Sequence, residues 1–488
     1  MDSDTLVSII TAALGGFCIV FGLYSLVIKE KLYISEAVVA TLCGLLIRII
    51  ATNDSTPLWE NQNDLNRQFS RIVIAIQVMA TGVALPKKYL WKEWKSLMTL
   101  LIPVMSWMWL ISGACVWWLL PDLKFLEALM IASCFTPTDP VLANSIVQGH
   151  FAEKYVPQHI RHLIAAESGA NDGLGFPFLF LAIYLIQFST GDALAVWGYK
   201  VMFYEIAVSI ACGAIVGYLG RKLLRFSHEK KLVDEESFAL YPVILALFLV
   251  GTLGLLGSDD LLACFIAGNS FTWDGWYHVE TKNAAEIMKS IEMLLNLSIF
   301  MYIGFIMPWS SWVEIGFSRL LLMAILVHLF RRLPVIVLLY KKFIPSIRSI
   351  SEAVFTGWFG PMGVGSMFYC AVAVEIIQNN IDNAIFSNQV AKYTEPIVYF
   401  IVLTSIIFHG LSIPIYQAVK YIPKYCFGYK QYEAIIEQHP SSSDLERAPV
   451  SVNIIIWLIK MILYIIDFYT DYISFTFVLW YAIDQPST

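Results

Sequence analysis

Apolar runs of roughly 18–25 residues, each long enough to cross a bilayer as a helix, recur along almost the whole of this sequence. In hydrocarbon every backbone amide and carbonyl must find its partner within the chain, so only helices and closed barrels can span. The runs are continuous rather than alternating in polarity, which excludes a barrel. Composition agrees: 58% of the 488 residues are hydrophobic and 14% charged, against about 25% charged in soluble domains. The expected fold is an all-α polytopic membrane protein.

Thirteen spanning segments are predicted, centred near Gly16, Leu42, Gln77, Trp109, Thr136, Gly173, Ile210, Leu247, Phe265, Leu297, Leu326, Gly363 and Thr404. Lys and Arg concentrate in the odd-numbered loops, for example Lys87, Lys88, Lys92 and Lys95, or Arg221, Lys222, Arg225, Lys230 and Lys231. Even-numbered loops hold little more than Arg67, Lys124, Lys200, Arg319 and Lys392. Basic loops stay cytoplasmic, so this alternation puts the N-terminus outside and the chain after Ile413 inside. The first run follows Met1-Asp2-Ser3-Asp4 with no basic region before it, and reads as a retained helix rather than a cleaved signal.

Three parts are expected: a transmembrane domain over 1–420, a polar cytoplasmic linker over 421–450, and an amphipathic helix with the C-terminus over 451–488. In the last part Asn453, Lys460, Asp467, Asp471 and Ser474 fall on one narrow helical stripe. Such a stripe suits a helix lying in the membrane interface better than one spanning it. The eight cysteines are scattered through the sequence without metal spacing or a disulfide framework. They read as reduced packing residues, and no cofactor is expected.

Against this apolar background Glu167-Ser168-Gly169-Ala170-Asn171-Asp172-Gly173 is conspicuous. Ionisable groups at membrane depth cost about 2.5–3.5 kcal/mol each on insertion scales, and they usually line an ion path or pair with a buried partner. Glu167 and Asn171 share one helical face, as do Ser168 and Asp172, each pair four residues apart. Burial disfavours a charged carboxylate, while an approaching cation favours it. One carboxylate can therefore hold either a proton or a cation, which makes Asp172 the candidate carrier. Glu167 lies on another face and needs a permanent partner, with Arg331 and Arg332 the available guanidinium groups.

Two segments are interrupted at comparable places in the two halves: Thr136-Pro137-Thr138-Asp139-Pro140, and Gly357 through Gly365 around Pro361. Proline removes an amide donor and clashes with the preceding turn, so each helix should open there. Paired interruptions point to an inverted-repeat transporter with its site at the midplane. Carbonyls freed at Thr136 and Thr138, with the threonine hydroxyls, can replace a cation's water shell. Asp139 can instead cap an opposing half-helix, and a plain proline kink is the simpler account. Asp259 and Asp260 open the ninth segment, either as a helix cap or as acids drawing cations to an outer entrance.

These residues resemble a known family. Thr136-Pro-Thr-Asp-Pro-Val-Leu-Ala143 followed by Ala166-Glu-Ser-Gly-Ala-Asn-Asp-Gly173 is similar to the monovalent cation/proton antiporters of the NhaP-like branch. More narrowly, the chain resembles fungal plasma-membrane sodium/proton antiporters. Supporting stretches are Gln77 to Ala80, Ser258-Asp-Asp-Leu-Leu262, Gly357 to Gly365 and Ser405 to Ile413; the resemblance spans residues 7–420. It implies a thirteen-helix inverted-repeat protomer with two broken crossing helices, a dimerisation part and a mobile core, working as a plasma-membrane homodimer. Carried over by position, Asp172 matches the exchanging carboxylate, with Asn171 its asparagine neighbour. Ser168 and Thr138 match ion-coordinating positions, Asp139 lies by the helix crossing, and Thr136 and Pro137 match positions linked to selectivity. Glu167 matches a glutamate paired with a core arginine, for which Arg332 is the nearest match.

The activity implied is exchange of Na+ or Li+, with K+ a third candidate, for H+ by alternating access. Expected partners are these ions and membrane lipids, with no nucleic acid, and the chain is not expected to be an enzyme. An intramembrane aspartyl protease would also use two membrane aspartates, but Gly173-Leu174-Gly175-Phe176 lacks the aspartate of the Gly-x-Gly-Asp arrangement. A cation channel or sensor would need no obligatory counter-ion.

Overall fold

The computed structural model describes residues 3–51, 62–147, 155–280, 284–380 and 385–426. Every regular element among them is helical. The first half holds α1 (Ser3–Leu26), α2 (Glu36–Ala51), α3 (Gln62–Ala84), α4 (Met105–Leu119), α5 (Phe125–Cys134), α6 (Pro140–Val147), α7 (Gln158–Asn171) and α8 (Gly175–Gln187). A wide-turned π-helical stretch, Trp197–Ala207, leads into α9 (Val208–Glu229). Then follow α10 (Glu235–Leu256), α11 (Asp260–Phe271), α12 (Ala284–Phe305), α13 (Phe317–Phe330), α14 (Leu333–Phe343), α15 (Ile350–Trp358), α16 (Val364–Asn379) and α17 (Asn388–Cys426).

Eight helical segments among the described residues are long and apolar enough to cross a membrane. Large apolar side chains such as Leu255 and Ile50 face outward, 91% and 83% exposed. Polar groups such as Asp172 are buried instead. That inversion suits a lipid surround, where apolar exposure carries no penalty.

Each predicted segment centre falls on a helix or in the gap between two successive helices. The gaps at Thr136 and Gly363 were expected from their prolines. Two others were not. The sixth segment opens between α7 and α8, and the eleventh between α13 and α14, where Pro334 at the start of α14 cannot continue the preceding helix. α17 runs to Cys426, so the first six residues of the expected linker continue a helix. The rest of that linker, and the amphipathic stretch over 451–488, lie outside the described residues.

Close backbone packing holds the frame. α9 lies on α11 with Gly213 and Gly217 at the contact, where an added Cβ would come within 2.4 and 2.3 Å of the Ala263 and Ala267 carbonyl oxygens. Small residues one turn apart let two helices approach where no hydrophobic effect drives them together. α3 packs on both α11 and α16, and so links this frame to the broken helices.

Candidate functional site

The two proline-interrupted segments meet at their breaks. The Asp139 amide donates to the Pro361 carbonyl at 2.8 Å, joining the α5–α6 gap to the α15–α16 gap. Four helix ends converge there, each with unpaired backbone groups and the partial charge of its dipole. The Asp139 carboxylate serves the two N-terminal ends, accepting from the Leu142 amide in α6 at 2.8 Å and the Gly365 amide in α16 at 3.4 Å. Arg331 serves the two C-terminal ends. Its guanidinium donates to the Gly360 carbonyl at 2.9 Å, to the Pro137 carbonyl at 3.2 Å and to the Thr136 carbonyl. Opposite charges thus meet opposite ends of the dipoles.

This corrects one expectation. The Thr136 carbonyl is not left free for a cation: it accepts from Arg331, and the Thr136 hydroxyl donates to Ala132 at 2.8 Å. Thr136 and Pro137 hold the crossing together. The reason is electrostatic, since carbonyls at a buried helix end attract a nearby guanidinium more strongly than they tolerate an empty cavity.

The remaining face of the break turns toward α7. The Thr138 hydroxyl lies 3.0 Å from the Ser168 hydroxyl and accepts from the Asn171 side-chain amide at 2.8 Å. Asp172 sits at the end of α7, 1% exposed, and neither of its carboxylate oxygens has a hydrogen-bond donor; the Asn171 amide oxygen has none either. Buried acceptors are nearly always paired, so three orphans in adjacent residues mark a place kept for something else. α16 presses against this carboxylate. A Cβ on Gly365 would lie 2.6 Å from Asp172 Oδ1, so any side chain there must displace the carboxylate. The Tyr369 hydroxyl of α16 donates to the Asp172 backbone carbonyl and pins the gap between α7 and α8.

Glu167 is handled separately. Arg332 Nη2 donates to its Oε2 at 2.7 Å, Nη1 bonds Oε1, and Arg332 Nε donates to the Thr356 carbonyl at 3.0 Å. Of the two arginines left open by the residues alone, Arg332 is therefore the partner of Glu167. Both lie deep inside, Arg331 2% and Arg332 3% exposed, because the gap before Pro334 turns both side chains inward.

Asp259 takes the cap arrangement, and Asp260 an ion pair. Asp259 accepts from the Leu261 and Leu262 amides at 3.0 and 3.1 Å, and Asp260 pairs with Arg71 at 2.7 Å. They are 3% and 4% exposed, so neither stands at an open mouth. Gly365, Tyr369 and Arg71 were not singled out from the sequence, and Arg331 was named only as an alternative partner of Glu167, not as the group that holds the crossing carbonyls. Only Arg331 carried a signal, a second charge beside Arg332 in an apolar run. Among the described residues no group of three or more His, Cys, Asp or Glu side chains is placed to hold a metal ion.

The family profile described as "Sodium/hydrogen exchanger, transmembrane" matches residues 16–418. The chain is 40% identical over 428 residues to a probable Na+/H+ antiporter of Schizosaccharomyces pombe, covering 84% of this chain and 56% of the relative. It is 41% identical over 423 residues to a Na+/H+ antiporter of Saccharomyces cerevisiae, covering 83% and 43%. The chain thus spans about half the length of these curated relatives. Among solved structures, the sodium proton antiporter MjNhaP1 of Methanocaldococcus jannaschii superposes with a TM-score of 0.63 at 18% identity, covering 84% of this chain and all (100%) of that one. The fold is related to that structure.

Proposed function

The chain belongs to the sodium/hydrogen exchanger family, and on that premise we propose that it is a secondary-active antiporter exchanging Na+ or Li+, with K+ a third candidate, for H+. The observation that carries this reading is Asp172, a buried carboxylate with both oxygens unpartnered. Asp172 holds a proton in one form and a cation in the other. In the cation form the Asn171 amide oxygen and the hydroxyls of Ser168 and Thr138 complete an all-oxygen shell, the donor type that suits a hard cation. Asp139 and Arg331 keep the crossing rigid, and Thr136 and Pro137 tune the cation shell through the position of Thr138. Glu167 is neutralised by Arg332 and takes no part in the exchange. Access alternates because a bare carboxylate at this depth is costly, so only loaded forms cross.

The same reading extends to architecture. Thirteen spans in an inverted repeat, with the α5–α6 and α15–α16 breaks as the crossing pair, fit the helix order and the antiporter-like fold. Residues 1–420 form the transmembrane domain, 421–450 a cytoplasmic linker and 451–488 an interfacial helix and C-terminus. The protein acts as a homodimer in the plasma membrane, N-terminus outside and C-terminus inside. Asp259, buried rather than at an open mouth, lies along the cation's approach from the outer side, while Asp260 is held by Arg71.

The test is proton movement in proteoliposomes with an imposed pH gradient, on addition of Na+, Li+ or K+. Wild-type protein should dissipate the gradient with at least one of them, and Asp172→Asn should not. Full cation-dependent exchange by Asp172→Asn would sink the assignment. Cation flux that leaves the pH gradient intact would favour a channel.

A further inference from the structure

A second group of orphaned oxygens lies apart from Asp172, where α8, the π-helical stretch and the start of α11 meet. Glu205 sits on the wide turns of Trp197–Ala207 and is 8% exposed, with Oε2 buried and unpartnered. Asp259 uses one carboxylate oxygen as the α11 cap and leaves Oδ2 buried and unpartnered. Tyr184 of α8, 6% exposed, has a buried hydroxyl with no partner. Glu205 links the other two. The Ser258 hydroxyl lies 3.1 Å from the Glu205 carbonyl oxygen and 3.0 Å from the Ser209 hydroxyl, so the cap turn is stitched to the turn bearing Glu205. Trp197 Nε1 donates to the Pro177 carbonyl at 2.8 Å and ties the same stretch to α8. The Glu205 carboxylate acts electrostatically on both Asp259 and Tyr184, and exposed Lys200 on its own helix offsets part of its charge.

This group adjoins the Asp172 break, since a Cβ on Gly173 would come within 2.5 Å of Leu262, in the first turn of α11. It lies by the end of α10 opposite the basic loop around Lys230 and Lys231, which is the outer side by the charge rule. Two carboxylate oxygens and a phenol oxygen, all buried and unclaimed, are too costly to leave empty. π-helical turns recur where a helix has been reshaped for such a task.

We propose that Glu205, Asp259 and Tyr184 form a second monovalent-cation site, one step outward of Asp172, at which the cation pauses on its way to or from the exchange site. The inference rests on the antiport reading for its place in the cycle, but not for its ligand. An all-oxygen set with two carboxylates favours a hard cation, and too few acids gather there for a resident multivalent metal among the described residues.

Two measurements test it. In sided proteoliposomes Glu205→Gln should raise the half-saturating Na+ concentration at the outer face about tenfold, the loss of one charge-assisted contact, and leave the inner-face value unchanged. Tyr184→Phe should shift the same face by less, and Glu205→Asp should recover much of the loss. No shift at either face, or an equal shift at both, overturns the proposal. Binding of radiolabelled Na+ to purified protein separates this site from the antiport reading. Asp172→Asn should keep a Na+ site that the added Glu205→Gln removes. An Asp172→Asn protein that binds no Na+ overturns the second site. Wild-type protein that shows the Glu205-dependent site but exchanges no protons would sink the antiport reading alone.

Discussion

Arg332 grips Glu167 through two guanidinium–carboxylate bonds, one of them 2.7 Å, with both side chains no more than 3% exposed. The pair joins α7, which carries Asp172, to the gap between α13 and α14 and, through Arg332 Nε, to α15. It is a clamp across the helices around the exchange site. A buried pair of this kind is revealed by breaking it, because either charge left alone has no solvent to stabilise it.

Glu167→Gln or Arg332→Met alone should therefore destabilise the protein by about 3–5 kcal/mol, while the double substitution should cost less than the sum of the two. Thermal unfolding in detergent measures both. Additive losses would show that the pair is not coupled.

Gly365→Ala should abolish exchange while the protein still folds, since its Cβ would lie 2.6 Å from Asp172 Oδ1. Gly251→Ala, with nothing within 4 Å of the added Cβ, should be silent. Transport in proteoliposomes, alongside elution as a single species from a sizing column, separates the two. Exchange surviving Gly365→Ala would mean that the carboxylate has room to move away.

Thr138→Ala removes one proposed cation ligand and should raise half-saturating Na+ about tenfold with little change in maximal rate, whereas Thr138→Ser should stay near wild type. Initial rates over a range of Na+ concentrations decide it. Equal loss with serine would assign Thr138 to packing by its methyl group.

Competition at one carboxylate sets the pH dependence. Lowering the pH protonates Asp172 and should raise half-saturating Na+ by up to about tenfold per unit, leaving the maximal rate at saturating Na+ unchanged. A half-saturation value indifferent to pH would place proton and cation on different groups.

Arg331→Lys should be poorly tolerated, because one ammonium cannot reproduce a fork that reaches the carbonyls of Thr136, Pro137 and Gly360. The expected readout is a lower melting temperature and slower exchange, with half-saturating Na+ little changed. Wild-type behaviour would mean that charge alone, and not the fork, holds the crossing.

Local chemistry made a good part of this legible. The prolines at positions 137, 140 and 361 announced two broken helices, and four-residue spacing put Ser168 and Asp172 on one face. The openings after Asn171 and Phe330 were not legible, because Gly173 permits a break without requiring one and Pro334 can kink a helix as readily as end it. The partner of Glu167 was legible only as one of two neighbours. Adjacent residues in a helix point about 100° apart, and which direction meets Glu167 depends on how two distant helices pack.

By itself the sequence determined what the bilayer punishes: apolar lengths, basic loops, and the depth at which Asp172, Glu167 and the arginine pair had to find partners. Those are costs of single residues against their solvent, and they need no neighbours to be read. Tertiary structure alone decided the division of labour. Arg331 took the Thr136 carbonyl, one of the two expected to meet a cation, Arg332 took Glu167, and Asp139 took two helix N-termini, which left the Asp172 oxygens unclaimed. Hydrogen bonds and ion pairs act over a few ångströms, and here one joins Asp139 to Gly365, 226 positions away. Only packing of the whole bundle settles which of these charges is already satisfied and which is left for an ion.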